Sequence, residues 1–147
     1  MISNGPHRPL IIVGLAMLLA ACGPSGDGAS PTAQGPRTVQ VQMTDQLRFE
    51  PAQFIVQAGE TVHFEVTNAG ATVHEFLIGD EAAQEGFEME MSGSSGMPHA
   101  TDAGVSVEPG GTATFEYTFG EVGQLLAGCH EPGHYGGGMM ATITVEG

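Results

Sequence analysis

From Thr38 onward, hydrophobic residues recur at every second position through most of the chain. Val39 and Val41 alternate with Gln40 and Gln42, and Phe54 and Val56 alternate inside the run from Gln53 to Gln57. Val62, Phe64 and Val66 alternate with Thr61, His63, Glu65 and Thr67. The same period runs through Phe76 and Ile78, Val105 and Val107, Phe115, Tyr117 and Phe119, Leu125 and Ala127, and Ile143 and Val145. Successive side chains of a strand point to opposite faces, so this pattern predicts short strands with one buried face. Pro51, Gly59, Asn68-Ala69-Gly70 and Pro109-Gly110-Gly111 break the runs. Short strands at such spacing predict an all-β, two-sheet sandwich. About 110 residues are enough for one domain with its own core.

Residues 1–21 follow a different pattern. Arg8 is followed by an apolar run from Leu10 to Ala21, of signal-peptide length and too short to span a bilayer comfortably. The order Leu19-Ala20-Ala21-Cys22 resembles a bacterial lipobox, which implies lipidation at Cys22. The expected location is therefore the cell envelope: exported, lipid-anchored, and facing the periplasm or the exterior. Residues 22–37 are rich in Gly, Pro, Ser, Ala and Gln, which predicts a flexible tether. The domain is then 38–147. With Cys22 lipidated, Cys129 has no disulfide partner, and a free thiol in an oxidising compartment needs an occupant.

The candidate chemistry lies in one stretch, Cys129-His130-Glu131-Pro132-Gly133-His134, which continues to Met139 and Met140. It gathers a thiol, two imidazoles and two thioethers between strand-like runs. Soft sulfur with imidazole suits copper, and two His with one Cys and a long, weak Met make a blue-copper site. The loop offers Cys129, His134 and Met139, so a second His must come from elsewhere. Cys-x4-His-x4-Met, with Pro-Gly before the His, resembles the ligand loop of the cupredoxins, the type 1 blue copper proteins. It is nearer the auracyanin-like branch than plastocyanin or azurin. The similarity spans roughly Thr38 to Gly147. It implies a Greek-key β-sandwich, one copper cycling between Cu(I) and Cu(II), and metal ligation by His74, Cys129, His134 and Met139.

His74 follows the loop from Asn68 to Val73 and opens the Phe76–Ile78 run, where the family places its first His. Asn68 is a candidate tie between this loop and the Cys129 loop. His63 alternates with core residues and should face solvent, His130 adjoins Cys129 and should point the other way, and His99 lies in a loop. Counting by twos from Ile143 and Val145 puts Met139 on the core face and Met140 on the other, which selects Met139 as the axial donor.

Residues 79–103 form an insertion without strand pattern, which in a compact domain is usually functional or disordered. Asp80 to Met91 favours a short helix, given its Ala and Glu content. Met89, Met91, Met97 and His99 are candidates for a secondary copper site, because thioethers select Cu(I). The 17 acids against three arginines and no lysine give a net charge of −14. Such a surface repels nucleic acid and steers toward cations or basic partners. The leading expectation is a membrane-tethered, monomeric electron carrier serving redox partner proteins, not an enzyme. The alternative is a periplasmic copper-binding protein for tolerance or delivery that uses the Met-rich loop. A thiol-nucleophile enzyme built on Cys129 with His130 or His134 lacks an identifiable orienting group in the sequence.

Overall fold

The structure, a computed structural model, describes Met1 and residues 35–93 and 102–147. Residues 2–21 of the leader, Cys22, residues 23–34 of the tether, Met97 and His99 lie outside the described residues. Residues 33–147 form one unit, distinct from residues 1–32, and contain nine strands and one helix among the described residues.

The strands are β1 (Arg37–Thr44), β2 (Arg48–Glu50), β3 (Gln53–Gln57), β4 (Thr61–Asn68), β5 (His74–Gly79), β6 (Gly104–Val107), β7 (Thr112–Thr118), β8 (Gly123–Gly128) and β9 (Met140–Glu146). They build a four-stranded sheet, β2-β1-β4-β7, and a five-stranded sheet, β3-β9-β8-β5-β6. The chain is thus the all-β, two-sheet sandwich that the alternation predicts. β1 opens at Arg37, one residue inside the expected tether, and Arg37 Nε donates to Glu60 Oε1 at 2.8 Å. Most pairs are antiparallel, but β1 runs parallel to β4 and β3 parallel to β9.

The alternation becomes the core directly. Along β4, Val62, Phe64 and Val66 are fully buried while Thr61, His63, Glu65 and Thr67 are half-buried. Phe64 lies between the sheets, with the rings of Phe115, Phe76, Phe54 and Phe119 at 5.2, 5.5, 6.2 and 6.3 Å. Offset and edge contacts of this kind stabilise beyond the area they bury.

β5 departs from alternation: all six of its residues are buried. The reason is the insertion, which forms helix α1 (Glu81–Gly93) and packs on β5 and β8. Asp80 caps it, its Oδ1 accepting from Ala83 N at 2.8 Å. The expected helix is therefore present, and it covers the outer face of the sheet directly behind His74 and Cys129.

Candidate metal centre

Cys129 is the first residue beyond β8, and its strand neighbours place it in the core, where it is fully buried. The loop then turns back on its own backbone bonds: His134 N donates to Glu131 O at 2.9 Å and Met139 N to His134 O at 3.0 Å. Gly133 and Gly138 hold φ of +83° and +91°. A side chain in the left-handed region costs about 1–2 kcal/mol, so these two glycines let so short a loop present three donors. Met139 N and Cys129 N both serve the closure, the latter donating to Met139 O at 3.2 Å.

Three donor atoms converge. His74 Nδ1 and His134 Nδ1 lie 3.2 Å apart, Cys129 Sγ is 3.4 Å from His134 Nδ1, and it is 3.9 Å from His74 Nδ1. Metal–nitrogen bonds of about 2.0–2.1 Å and a metal–sulfur bond of about 2.3 Å in a trigonal plane separate the donors by about 3.5 Å (N to N) and 3.8 Å (N to S). The observed triangle comes within about 0.4 Å of those separations on every side. The residues present therefore fit a trigonal copper ion. Met139 is fully buried in the same core cluster as Cys129, whereas Met140 is 38% exposed, so the strand phase inferred for the two methionines holds.

The surroundings hold the His74 ring in the state a cation needs, but leave the Cys129 proton for the cation to displace. Burial, then the neighbouring His134, keeps the His74 pKa below the usual histidine range, so its ring is neutral. His74 Nε2 lies 3.4 Å from Asp45 Oδ1, long for a direct hydrogen bond, and makes no hydrogen bond among the described residues. Asp45 is itself held by Ala71 N, which donates to both carboxylate oxygens at 3.0 and 2.9 Å. An acceptor behind the far nitrogen orients a ligating imidazole. Burial pushes the Cys129 thiol up to about 12, opposed by the backbone N–H groups of Glu75 and Glu131. Glu75 N reaches the sulfur at 3.3 Å. Such a thiol is neutral alone and is deprotonated outright by a bound cation. His134 is half-buried.

The remaining expectations are met unevenly. His63 is half-buried and lies 3.7 Å from Glu116. Asn68 does not tie its loop to the Cys129 loop as expected. Its Nδ2 donates to Thr72 O and Val107 O, both at 2.8 Å, and its Oδ1 accepts from Gly70 N, because the buried amide meets β6 first. Met89 is 71% exposed and Met91 is 7% exposed, because two residues two apart on a helix point to different faces. His130 does point away from the donor triangle, but into protein, between Glu88 and Gln84 of α1. Asp45, Glu75 and Gln84 were not singled out from the sequence. Period-two patterning marks apolar positions and carries no signal for buried polar ones.

The family model for the cupredoxin-like domain matches residues 10–94. The chain belongs to the cupredoxin family. Copper is the cofactor of this cupredoxin. Among its relatives is the copper-resistant cuproprotein CopI of Rubrivivax gelatinosus, 36% identical, the match covering 78% of this chain and 69% of the relative. CopI of Pseudomonas aeruginosa is 33% identical, with 78% of each chain covered. Auracyanin-A of Chloroflexus aurantiacus is 28% identical, over 85% of this chain and 87% of the relative. In fold, this cupredoxin is similar to the crystal structure of dithionite-reduced auracyanin from Roseiflexus castenholzii. The TM-score is 0.66 at 24% identity, covering 75% of this chain and 97% of that one.

Proposed function

We propose that this cupredoxin holds one type 1 copper on His74, Cys129 and His134, with Met139 as a weak axial donor, and passes single electrons between redox partner proteins. The observation that carries this reading is the convergence of two imidazole Nδ1 atoms and one thiol sulfur in a triangle 3.2 to 3.9 Å on a side. Bound copper supplies a one-electron couple between Cu(II) and Cu(I). The chain's part is to hold one geometry for both states. His74 is locked by burial and backed by Asp45, Cys129 is held by the Glu75 N–H, and Met139 is sealed in the core. His134 gives the electron its shortest way out, because it alone of the donor set is not fully buried. The acidic surface favours partners with basic faces. Lipidation at Cys22 would tether the domain to the envelope membrane. The test is voltammetry with metal analysis: a reversible one-electron couple at one copper per chain supports the reading, and copper that cannot be cycled in place refutes it.

A second reading has its own support. Three of the relatives are named copper-resistant cuproproteins, so the same site can serve copper tolerance. Growth of a strain lacking this chain separates the readings. Sensitivity to added copper that wild-type chain rescues favours tolerance, whereas unchanged copper tolerance with impaired electron flow favours the carrier.

A further inference from the structure

His130 follows Cys129 directly, yet its ring belongs to another environment. It is 1% exposed, stacks on Tyr135 with centroids 4.6 Å apart, and faces α1. Gln84 fixes its tautomer. Gln84 Nε2 donates to Leu77 O at 3.0 Å and to Leu126 O at 3.1 Å, so Gln84 Oε1, 2.8 Å from His130 Nε2, is an acceptor. His130 therefore carries a hydrogen on Nε2 and turns Nδ1 toward Glu88 Oε2 at 2.9 Å. A ring lone pair and a carboxylate oxygen that close require a cation between them, either a proton or a metal ion.

Three features favour a metal. A ligating His commonly hands its other N–H to a fixed acceptor, and Gln84 is that acceptor. Two donors bound at right angles with bonds of about 2.0–2.1 Å lie about 2.9 Å apart, which is the separation here. There is also room. A cavity of ≈180 Å³ is lined by Glu88, Met91, His130, Pro132 and Gly133, far more than the roughly 10–15 Å³ that one water needs. Met91, 7% exposed, brings a thioether-bearing side chain to its lining, and the Glu88 side chain is 42% exposed. Glu81, Glu85 and Glu88 all raise the pKa of neighbouring Tyr135, after its burial, so the field there is negative and draws cations.

We propose that His130, Glu88 and Met91 form a second copper site, which takes Cu(II) through the imidazole Nδ1 and the carboxylate, with the Met91 thioether as a weaker third donor. Imidazole and carboxylate suit Cu(II), which outbids other first-row divalent ions at such donors. Two adjacent residues, Cys129 and His130, then serve two metal sites on opposite sides of one loop.

The test titrates Cu(II) into the full chain already loaded with one copper, followed by electron paramagnetic resonance. A second equivalent with a tetragonal, nitrogen-coordinated signal is expected. Glu88→Gln should weaken it at least tenfold and Met91→Leu by less, while both keep the visible band of the first copper as the check on folding. A double variant, Met97→Leu with His99→Ala, should bind the second copper as wild type does. The proposal is overturned by the absence of a second tetragonal signal, by one that Glu88→Gln and Met91→Leu leave unchanged, or by one that the double variant abolishes. The first of these outcomes would mean that a proton occupies the Glu88–His130 contact and that the pair serves only to clamp α1.

Discussion

Replacing Met139 by Leu tests how the axial donor contributes, with Met140→Leu as its control. Met139 is fully buried and Met140 is 38% exposed, so only the first change removes a thioether from the core side of the loop. Leu and Met are similar in volume, so the packing change should cost less than about 1.5 kcal/mol. The loop itself should stay closed, because its contacts here are from backbone: Cys129 N donates to Met139 O and Met139 N to His134 O. The electronic effect is of similar size but is read in the reduction potential, not in stability. Losing an axial donor of any kind destabilises the more highly charged Cu(II) more than Cu(I), and a difference on the order of 1.4 kcal/mol corresponds to about 60 mV for a one-electron couple. Met139→Leu should therefore keep copper and colour and raise the reduction potential by tens of millivolts. Met140→Leu should leave it within a few millivolts. Protein-film voltammetry reads both, with urea unfolding of the copper-free chains as a control on packing. A shift in Met140→Leu without one in Met139→Leu would refute the strand phase on which the assignment rests.

Asp45→Asn keeps the shape behind His74 but removes the carboxylate charge 3.4 Å from its Nε2; loss of such an orienting group should weaken copper binding about 10- to 100-fold, measured by competition with a chelator. Phe64→Ala empties the centre of the aromatic cluster and should destabilise the domain by about 3–5 kcal/mol in urea titration; a loss under about 1 kcal/mol would contradict its placement. Cys22→Ser should release the protein from membranes, and mass spectrometry of the membrane-extracted wild type should find diacylglycerol on Cys22; a wild type wholly soluble and beginning at another residue would overturn the proposed anchor.

Most of the sandwich was legible because its strands have one wet face. β4, and β9 after Met140, show it well: their apolar residues occupy alternate positions, and those positions are the buried ones. Two features escaped for physical reasons. β2 has three residues and one buried side chain, Phe49, too short a run to display a period. β5 is buried on both faces because α1 packs on it, so alternation gives no sign that Glu75 is at 0% exposure. The donor set was legible because packing alone rarely brings a thiol, an imidazole and a thioether together around a glycine-rich turn. The environment of His130 was not. Its neighbours Gln84 and Glu88 are 46 and 42 residues away in sequence, and only the docking of α1 brings them together. The same docking separates Met89 from Met91, which the sequence had grouped.

The visible absorption spectrum of the chain after addition of Cu(II) is the decisive test of the copper assignment. One copper per chain in the Cys129 site is expected, with an intense band from charge transfer between the Cys129 sulfur and Cu(II). Cys129→Ala should lose that band while the far-ultraviolet circular dichroism stays that of the folded sandwich. A wild type that binds copper with only weak colour, or a Cys129→Ala chain that keeps the intense band, would contradict the assignment.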